Sequence, residues 1–314
     1  MVLEAASAAL LSAARADGRP PIHESTPAEV RATSDPSVFG IGPAMHHVRD
    51  AVAQTADGRR QVPVRVLVPS TSPRATIVYF HGGGWVLGDV PSYDTLARKL
   101  AAAADATVVV VDYRLAPEHP FPAALDDAWT ALQWTASYAD RSDGIVTPLV
   151  VAGDSAGGNL ALGTARRARE AGPDLAAALL VYPVTDVDTT RASYVHPENQ
   201  LLLSKATMTW FLDHYLQGAD GSQPDVSPLN DLDLSGLPPT AVALAEHDPL
   251  LDEGRELVLR LRDSGVHVAD RLFEGQMHGF FQLTNVLAAS DTALGWLVEF
   301  LESRIGPADR DGRP

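Results

Sequence analysis

Cysteine is absent from the sequence, and that gap removes disulfides, thiolate metal sites and cysteine nucleophiles together. Any nucleophilic side-chain chemistry then falls to serine, and the absence is compatible with a cytoplasmic location. Basic runs are missing as well. The formal charge of −16 repels phosphate backbones, and no local cluster of Lys and Arg offers a footprint, so nucleic acid is not expected as a partner. The same field favours a small neutral substrate over an anionic one. No stretch approaches the roughly 20 apolar residues of a spanning helix, so integral membrane association is not expected. The apolar start, Leu3 to Ala16, has Glu4 as its first charge and no Lys or Arg ahead of it. It reads as an amphipathic helix rather than a signal peptide.

With 46% hydrophobic and 20% charged residues, the 314-residue chain can bury a large core, and its length suits one α/β sheet with excursions. Internal repeats are not apparent. A Pro-punctuated segment (Pro20, Pro21, Pro27, Pro36, Pro43) follows the first helix and holds no obvious strand. The sheet is expected to start at Val62 to Val68, where alternation around Pro63 and Arg65 suits an edge strand. Ala75 to Phe80, Thr107 to Val111 and Leu149 to Ala152 are instead continuously apolar, as strands covered on both faces are.

Helical stretches at Ser92 to Ala104, Ala123 to Ala139 and Ser155 to Ala171 separate these runs. The alternation continues through Ala177 to Tyr182, Thr240 to Ala245, Glu253 to Ser264, Val266 to Phe273 and Thr292 to Arg304. This order specifies a mostly parallel sheet flanked by helices, with ligands at the strands' carboxyl ends. The stretch between Tyr182 and Thr240 is too long for a simple crossover and reads as a lid excursion. Within it Ser204 suits a helix N-cap, and Met208, Phe211, Leu212 and Tyr215 recur at helical spacing. That stripe either packs on the body or lines the substrate pocket. The expected organisation is an N-terminal cap segment (1–45), a catalytic α/β domain in two parts (46–185 and 226–305), a cap excursion (186–225) and a polar tail (306–314).

Gly153-Asp154-Ser155-Ala156-Gly157 places G-x-S-x-G between an apolar strand and a helix, the context of a nucleophile elbow. Small residues on either side of Ser155 let the backbone turn tightly and lift Oγ clear of the sheet. Upstream, His81-Gly82-Gly83-Gly84-Trp85 also follows a buried-type strand. Glycine amides can approach a substrate oxygen closely, so Gly82 and Gly83, with the amide of Ala156, are the expected oxyanion donors. A phosphate-binding loop is disfavoured because no Lys or G-x-G-x-x-G follows.

The base belongs at another strand's end, in the chain order Ser, acid, His. His267 falls inside a strand pattern and reads as structural, whereas His278 lies in a loop after it and is preferred. Asp248 directly follows a strand and is the expected acid, while Asp252 reads as the N-cap of the next helix.

These motifs carry a resemblance. HGGGW at His81 to Trp85, DYRLAPEHPFPAALDD at Asp112 to Asp127, GDSAGGN at Gly153 to Asn159, DPLLDEG at Asp248 to Gly254 and HGF at His278 to Phe280 occur together and in order. In them the chain resembles the hormone-sensitive-lipase family of bacterial esterases, within the α/β-hydrolase fold. The resemblance implies a carboxylesterase for short- to medium-chain esters, with Ser155, Asp248 and His278 as triad and Gly82, Gly83 and Ala156 as oxyanion donors. It also implies a helical cap formed by the N-terminal segment and the excursion, a structural role for His81, and buried polar links from Asp112, Arg114 and Glu118.

No metal or organic cofactor is required by this chemistry. A homodimer is compatible with the sequence. A chymotrypsin-like peptidase is opposed by the order of serine and acid. A peptidase or amidase of this same fold stays open, because the triad is shared. A ligand-binding receptor related to the gibberellin receptors, which lack the histidine, is disfavoured by His278.

Overall fold

The computed structural model describes residues 2–55, 57–139 and 147–306. Among them, one eight-stranded sheet runs in the order β1-β2-β4-β3-β5-β6-β7-β8. The strands are β1 His47–Gln54, β2 Gln61–Val68, β3 Ala75–Phe80, β4 Ala106–Val111, β5 Leu149–Asp154, β6 Ala177–Val181, β7 Thr240–His247 and β8 Val268–Met277. The helices are α1 Ala5–Ala16, α2 Pro27–Ala32, α3 Val90–Ala104, α4 Ala123–Ala139, α5 Ala156–Ala171, α6 Ala192–Val195, α7 Lys205–Leu216, α8 Leu251–Asp263 and α9 Ala288–Ile305. None of the described helices is long and apolar enough to cross a membrane. The tail from 307 onward lies outside the described residues.

From β3 outward through β4, β5, β6, β7 and β8 the pairing is parallel; β1 and β2 join antiparallel at one end. The continuous apolar runs behave as their composition demands. Every residue of β3, β5, β6 and β7 is buried, because helices cover both faces of the sheet. One core lies between the sheet and α4, α5 and α8; the other is closed by α3 and α9.

Two sequence expectations fail at the sheet's start. The sheet begins at His47, not Val62, and β2 is not an edge strand, because β1 pairs along its whole length. β1 alternates poorly and carries Arg49 and Asp50. Such charge is common on an edge strand and hides its periodicity. The last strand also runs four residues beyond Phe273, with a register irregularity opposite Ala245 and His247. It also starts at Val268, two residues later than expected, so His267 precedes β8, is exposed and stacks on Phe300.

The excursion after β6 holds α6 and α7. Ser204 caps α7 by accepting the Thr207 amide at 3.1 Å. Both ends of the excursion are tied to α5, since Asn159 Nδ2 donates to the carbonyls of Val184 (3.0 Å) and Val226 (2.9 Å). The N-terminal segment docks by side chain and backbone alike. Arg31 donates to the Val86 and Ala116 carbonyls and to Glu118, and the Glu4 amide donates to Gly275 O on β8.

The block from Asp112 to Asp127 is only partly the buried scaffold that the resemblance implies. Asp112 and Glu118 are exposed, and Glu118 pairs with Arg31 at the surface. Arg114 does meet a buried group, with its guanidinium on both oxygens of Asp127 at 2.7 and 2.8 Å.

Candidate active site

The parallel strands end on one side of the sheet, and the chemistry-bearing loops leave from those ends. Ser155 follows β5 directly. It is the N-cap of α5 with φ +55° and ψ −121°, a conformation costly for a residue with a side chain. Neighbouring glycines make it feasible. An ideal Cβ on Gly157 would lie 2.0 Å from the Phe80 carbonyl oxygen, and one on Gly153 would lie 2.3 Å from the Gly157 carbonyl oxygen. Glycine at these two places is therefore a steric requirement. The Ser155 backbone is held at both ends, its amide on Val181 O (2.9 Å) and its carbonyl accepting from Val184 (3.1 Å).

His278 stands in the turn after β8, and its ring lies between the two other groups. Nε2 is 2.9 Å from Ser155 Oγ, and Nδ1 is 2.8 Å from Asp248 Oδ2. An ionised carboxylate only accepts, so Nδ1 carries the proton and Nε2 is left to accept from the serine hydroxyl. Tyr182, at the end of β6 with φ +34°, packs against the imidazole at 4.5 Å between ring centroids. Its hydroxyl accepts the Phe281 amide at 3.2 Å, which fixes the histidine turn from below.

Asp248 is buried, with 1% of its side chain exposed. Its other oxygen, Oδ1, accepts the Leu250 amide at 2.8 Å. The excursion reaches this loop too. Asn199 Nδ2 donates to Asp248 O at 3.2 Å, and Ser193 Oγ donates to Pro249 O at 2.6 Å. Asp252 is not the N-cap of the following helix. α8 already starts at Leu251, and the Asp252 carboxylate turns outward to accept the Ser193 amide at 2.7 Å.

The glycine loop after β3 corrects another expectation. The Gly82 amide donates to Asp154 Oδ1 at 3.1 Å and to Tyr93 Oη at 3.0 Å. It is thereby committed to a buried cluster and is not available to a substrate oxygen. The amides of Gly83, Gly84 and Ala156 donate to no protein acceptor among the described residues. Gly83 and Gly84 both have positive φ, +110° and +61°.

His81 is fully buried, with Nδ1 2.8 Å from Gly82 O and its ring stacked 4.3 Å from Tyr113. Burial lowers its pKa to about 4, so it is neutral at pH 7. Trp85 stacks on Tyr215 of α7 at 4.1 Å and 4°. The apolar stripe of α7 packs on the body, and at Phe211 it lies against the loop itself, where a Cβ on Gly84 would meet the ring at 2.2 Å.

Sequence reading did not single out Asp154, Tyr93, Tyr182 or Asn199. Asp154 carries a signal, being a carboxylate that ends an otherwise apolar, fully buried strand. The other three show their role only through partners distant in sequence.

Residues 77–282 match a family described as alpha/beta hydrolase fold. The chain is 40% identical over 246 residues to carboxylesterase NlhH of Mycobacterium tuberculosis, covering 76% of this chain and 77% of that protein. It is 35% identical over 266 residues to the ethyl acetate hydrolase of Pseudomonas putida, covering 82% of this chain and 83% of that protein. The solved structure of the hyperthermophilic esterase from Pyrobaculum calidifontis is similar with a TM-score of 0.88 and 34% identity, over 96% of this chain and 99% of that one.

Proposed function

The chain belongs to the α/β-hydrolase family, among its carboxylic ester hydrolases of hormone-sensitive-lipase type, and from that premise we propose that Ser155, His278 and Asp248 are its catalytic triad. The observation that carries this reading is the continuous line from Ser155 Oγ through the His278 ring to Asp248 Oδ2, with links of 2.9 and 2.8 Å. Gly83, Gly84 and Ala156 are the proposed oxyanion donors; Gly84 replaces Gly82 because the Gly82 amide is already committed.

Ser155 Oγ attacks the ester carbonyl carbon while its proton passes to His278 Nε2. The carbonyl π electrons move onto oxygen, where the three amides stabilise them, each by about 3 kcal/mol. Collapse of this intermediate breaks the bond to the alcohol oxygen, which takes the proton from the imidazolium and leaves Ser155 acylated. Water, deprotonated by the same nitrogen, attacks the acyl carbon and releases the acid and Ser155. Asp248 holds the imidazole in the required tautomer and stabilises its cation. None of these steps draws on a metal or an organic cofactor.

The proposed substrates are small neutral esters of short to medium acyl length. Support comes from the negative net charge and from a relative named for ethyl acetate. A cap made of 1–45 and 186–225 over the two-part catalytic domain is part of the proposal, supported by the Asn159 ties just outside both ends of the excursion. So are a cytoplasmic location and a homodimer, each compatible with the sequence. In a p-nitrophenyl butyrate assay, Ser155→Ala is expected to lose about 10⁴-fold or more in kcat. Retained activity in the purified variant excludes this nucleophile. Matched ester and amide substrates separate esterase from amidase, with hydrolysis of the ester alone expected.

A further inference from the structure

We propose that Asp154 is a positioning residue for the hydrolytic reaction: its carboxylate locks the glycine loop onto the nucleophile elbow and so aims the Gly83 and Gly84 amides at the substrate oxygen. The proposal rests on the reading of Ser155 as nucleophile and goes beyond it.

The carboxylate sits at the end of β5, one residue before Ser155, with 3% of its surface exposed. Among the described residues no Lys or Arg forms an ion pair with it. The titratable groups around it are Tyr79 from β3, Tyr93 from α3, Tyr113 after β4, Tyr182 after β6 and His278 after β8. Hydrogen bonds take the place of a counter-charge. Tyr79 Oη donates to Oδ1 at 2.7 Å, the Gly82 amide donates to Oδ1 at 3.1 Å, and Tyr93 Oη donates to Oδ2 at 3.1 Å.

This arrangement is not explained by stability. Burial raises the carboxyl pKa to about 6 against the pull of its donors, so folding works against its charge. An apolar side chain at a strand end would carry no such penalty. What the carboxylate does is join two segments. Residue 154 belongs to the segment that presents Ser155 and the Ala156 amide, and Gly82 opens the segment that presents the other two amides. The approach is as close as backbone permits, since a Cβ on Gly82 would lie 2.4 Å from Asp154 Oδ2 and 2.9 Å from Tyr93 Oη. Gly83 and Gly84 rotate freely as isolated residues. The Gly82 anchor removes that freedom at the end where the loop leaves the sheet. Oxyanion stabilisation depends on donors fixed before the reaction, so slackening the anchor raises the barrier without weakening ground-state binding.

The test compares wild type, Asp154→Asn and Tyr93→Phe, with three readouts. For Asp154→Asn at pH 8, kcat on p-nitrophenyl butyrate is expected to fall 10- to 100-fold with KM within threefold. Affinity for a trifluoromethyl ketone, which adds to Ser155 as a tetrahedral anion, is expected to weaken in the same proportion. Wild-type activity is expected to fall more steeply below pH 6 than that of the Asn variant, because only the wild type has a carboxylate at 154 to protonate. Tyr93→Phe removes a hydroxyl while keeping the ring, and is expected to give the same signature with kcat down 5- to 30-fold, even if the Asn variant fails to fold.

A kcat within threefold of wild type in Asp154→Asn, or in Tyr93→Phe where the Asn variant does not fold, overturns the proposal. So does a loss confined to KM. Stoichiometric phosphonate labelling of Ser155 is read in the same proteins. Lost kcat with labelling retained belongs to Asp154, whereas a missing adduct in wild type overturns both this inference and the nucleophile assignment.

Discussion

Replacing Asp248 by asparagine removes one charge and almost no volume, so its effect can be worked out from hydrogen bonds alone. The carboxylate has two obligations: Oδ2 accepts from His278 Nδ1 at 2.8 Å and Oδ1 accepts the Leu250 amide at 2.8 Å. Asparagine has one oxygen. If that oxygen serves Leu250, the NH2 group faces Nδ1 and drives the proton to Nε2, where the ring can no longer accept from Ser155. A wrong-tautomer site of this kind costs about 10⁴ in kcat, or about 5.5 kcal/mol.

If the amide flips instead, its NH2 opposes the Leu250 N–H in a buried place, at about 1–3 kcal/mol. The productive state is then a minority of about one molecule in six to one in 150, and its imidazolium lacks the stabilising charge. Either way kcat is expected to fall by about 10²- to 10⁴-fold. Steady-state hydrolysis of p-nitrophenyl butyrate measures it, with a melting curve to verify that the variant is folded. A folded Asp248→Asn protein with less than a tenfold loss refutes the assignment of the acid.

Gly157→Ala forces a methyl to within 2.0 Å of the Phe80 carbonyl and 2.5 Å of the His81 carbonyl. Backbone cannot yield there without moving the elbow, so a destabilisation of about 3 kcal/mol with loss of activity is expected; a wild-type urea midpoint contradicts this. Glu253 is fully buried, and desolvation pushes its carboxyl pKa well above the usual 4.5. The folded state therefore holds a proton that the unfolded state releases, and stability falls as pH rises above 4.5. Glu253→Gln keeps an oxygen for the Thr185 amide. Its urea midpoint is expected to exceed wild type at pH 8 and to converge on it toward pH 4.5; a variant less stable at pH 8 overturns that sign.

The strands and the meeting of three loops were legible because each proposed catalytic side chain follows directly on a strand, and two of those strands, β5 and β7, have a composition that announces burial. β5, reading LVVAGD, leads straight into Ser155; β7 leads to Asp248, and β8 to His278. What stayed hidden depended on partners far away in the chain. Gly82, Gly83 and Gly84 are chemically identical, and the first is separated from the others by the contacts of its amide with Asp154, 72 residues on, and with Tyr93, 11 residues on. The role of Asp154 needed Tyr79 and Tyr93, at separations of 75 and 61 residues. β1 was missed because Arg49 and Asp50 interrupt the alternation that marks a half-buried strand. Asp252 was misread because α8 begins at Leu251, one residue before it.

The central claim concerns where a covalent bond forms. Incubation with a p-nitrophenyl phosphonate, followed by intact-mass and peptide mapping, tests it most directly. The account predicts one adduct per chain, on Ser155, with labelling slowed by orders of magnitude in His278→Ala. An adduct on another residue, or undiminished hydrolysis by a protein that carries none, would contradict it.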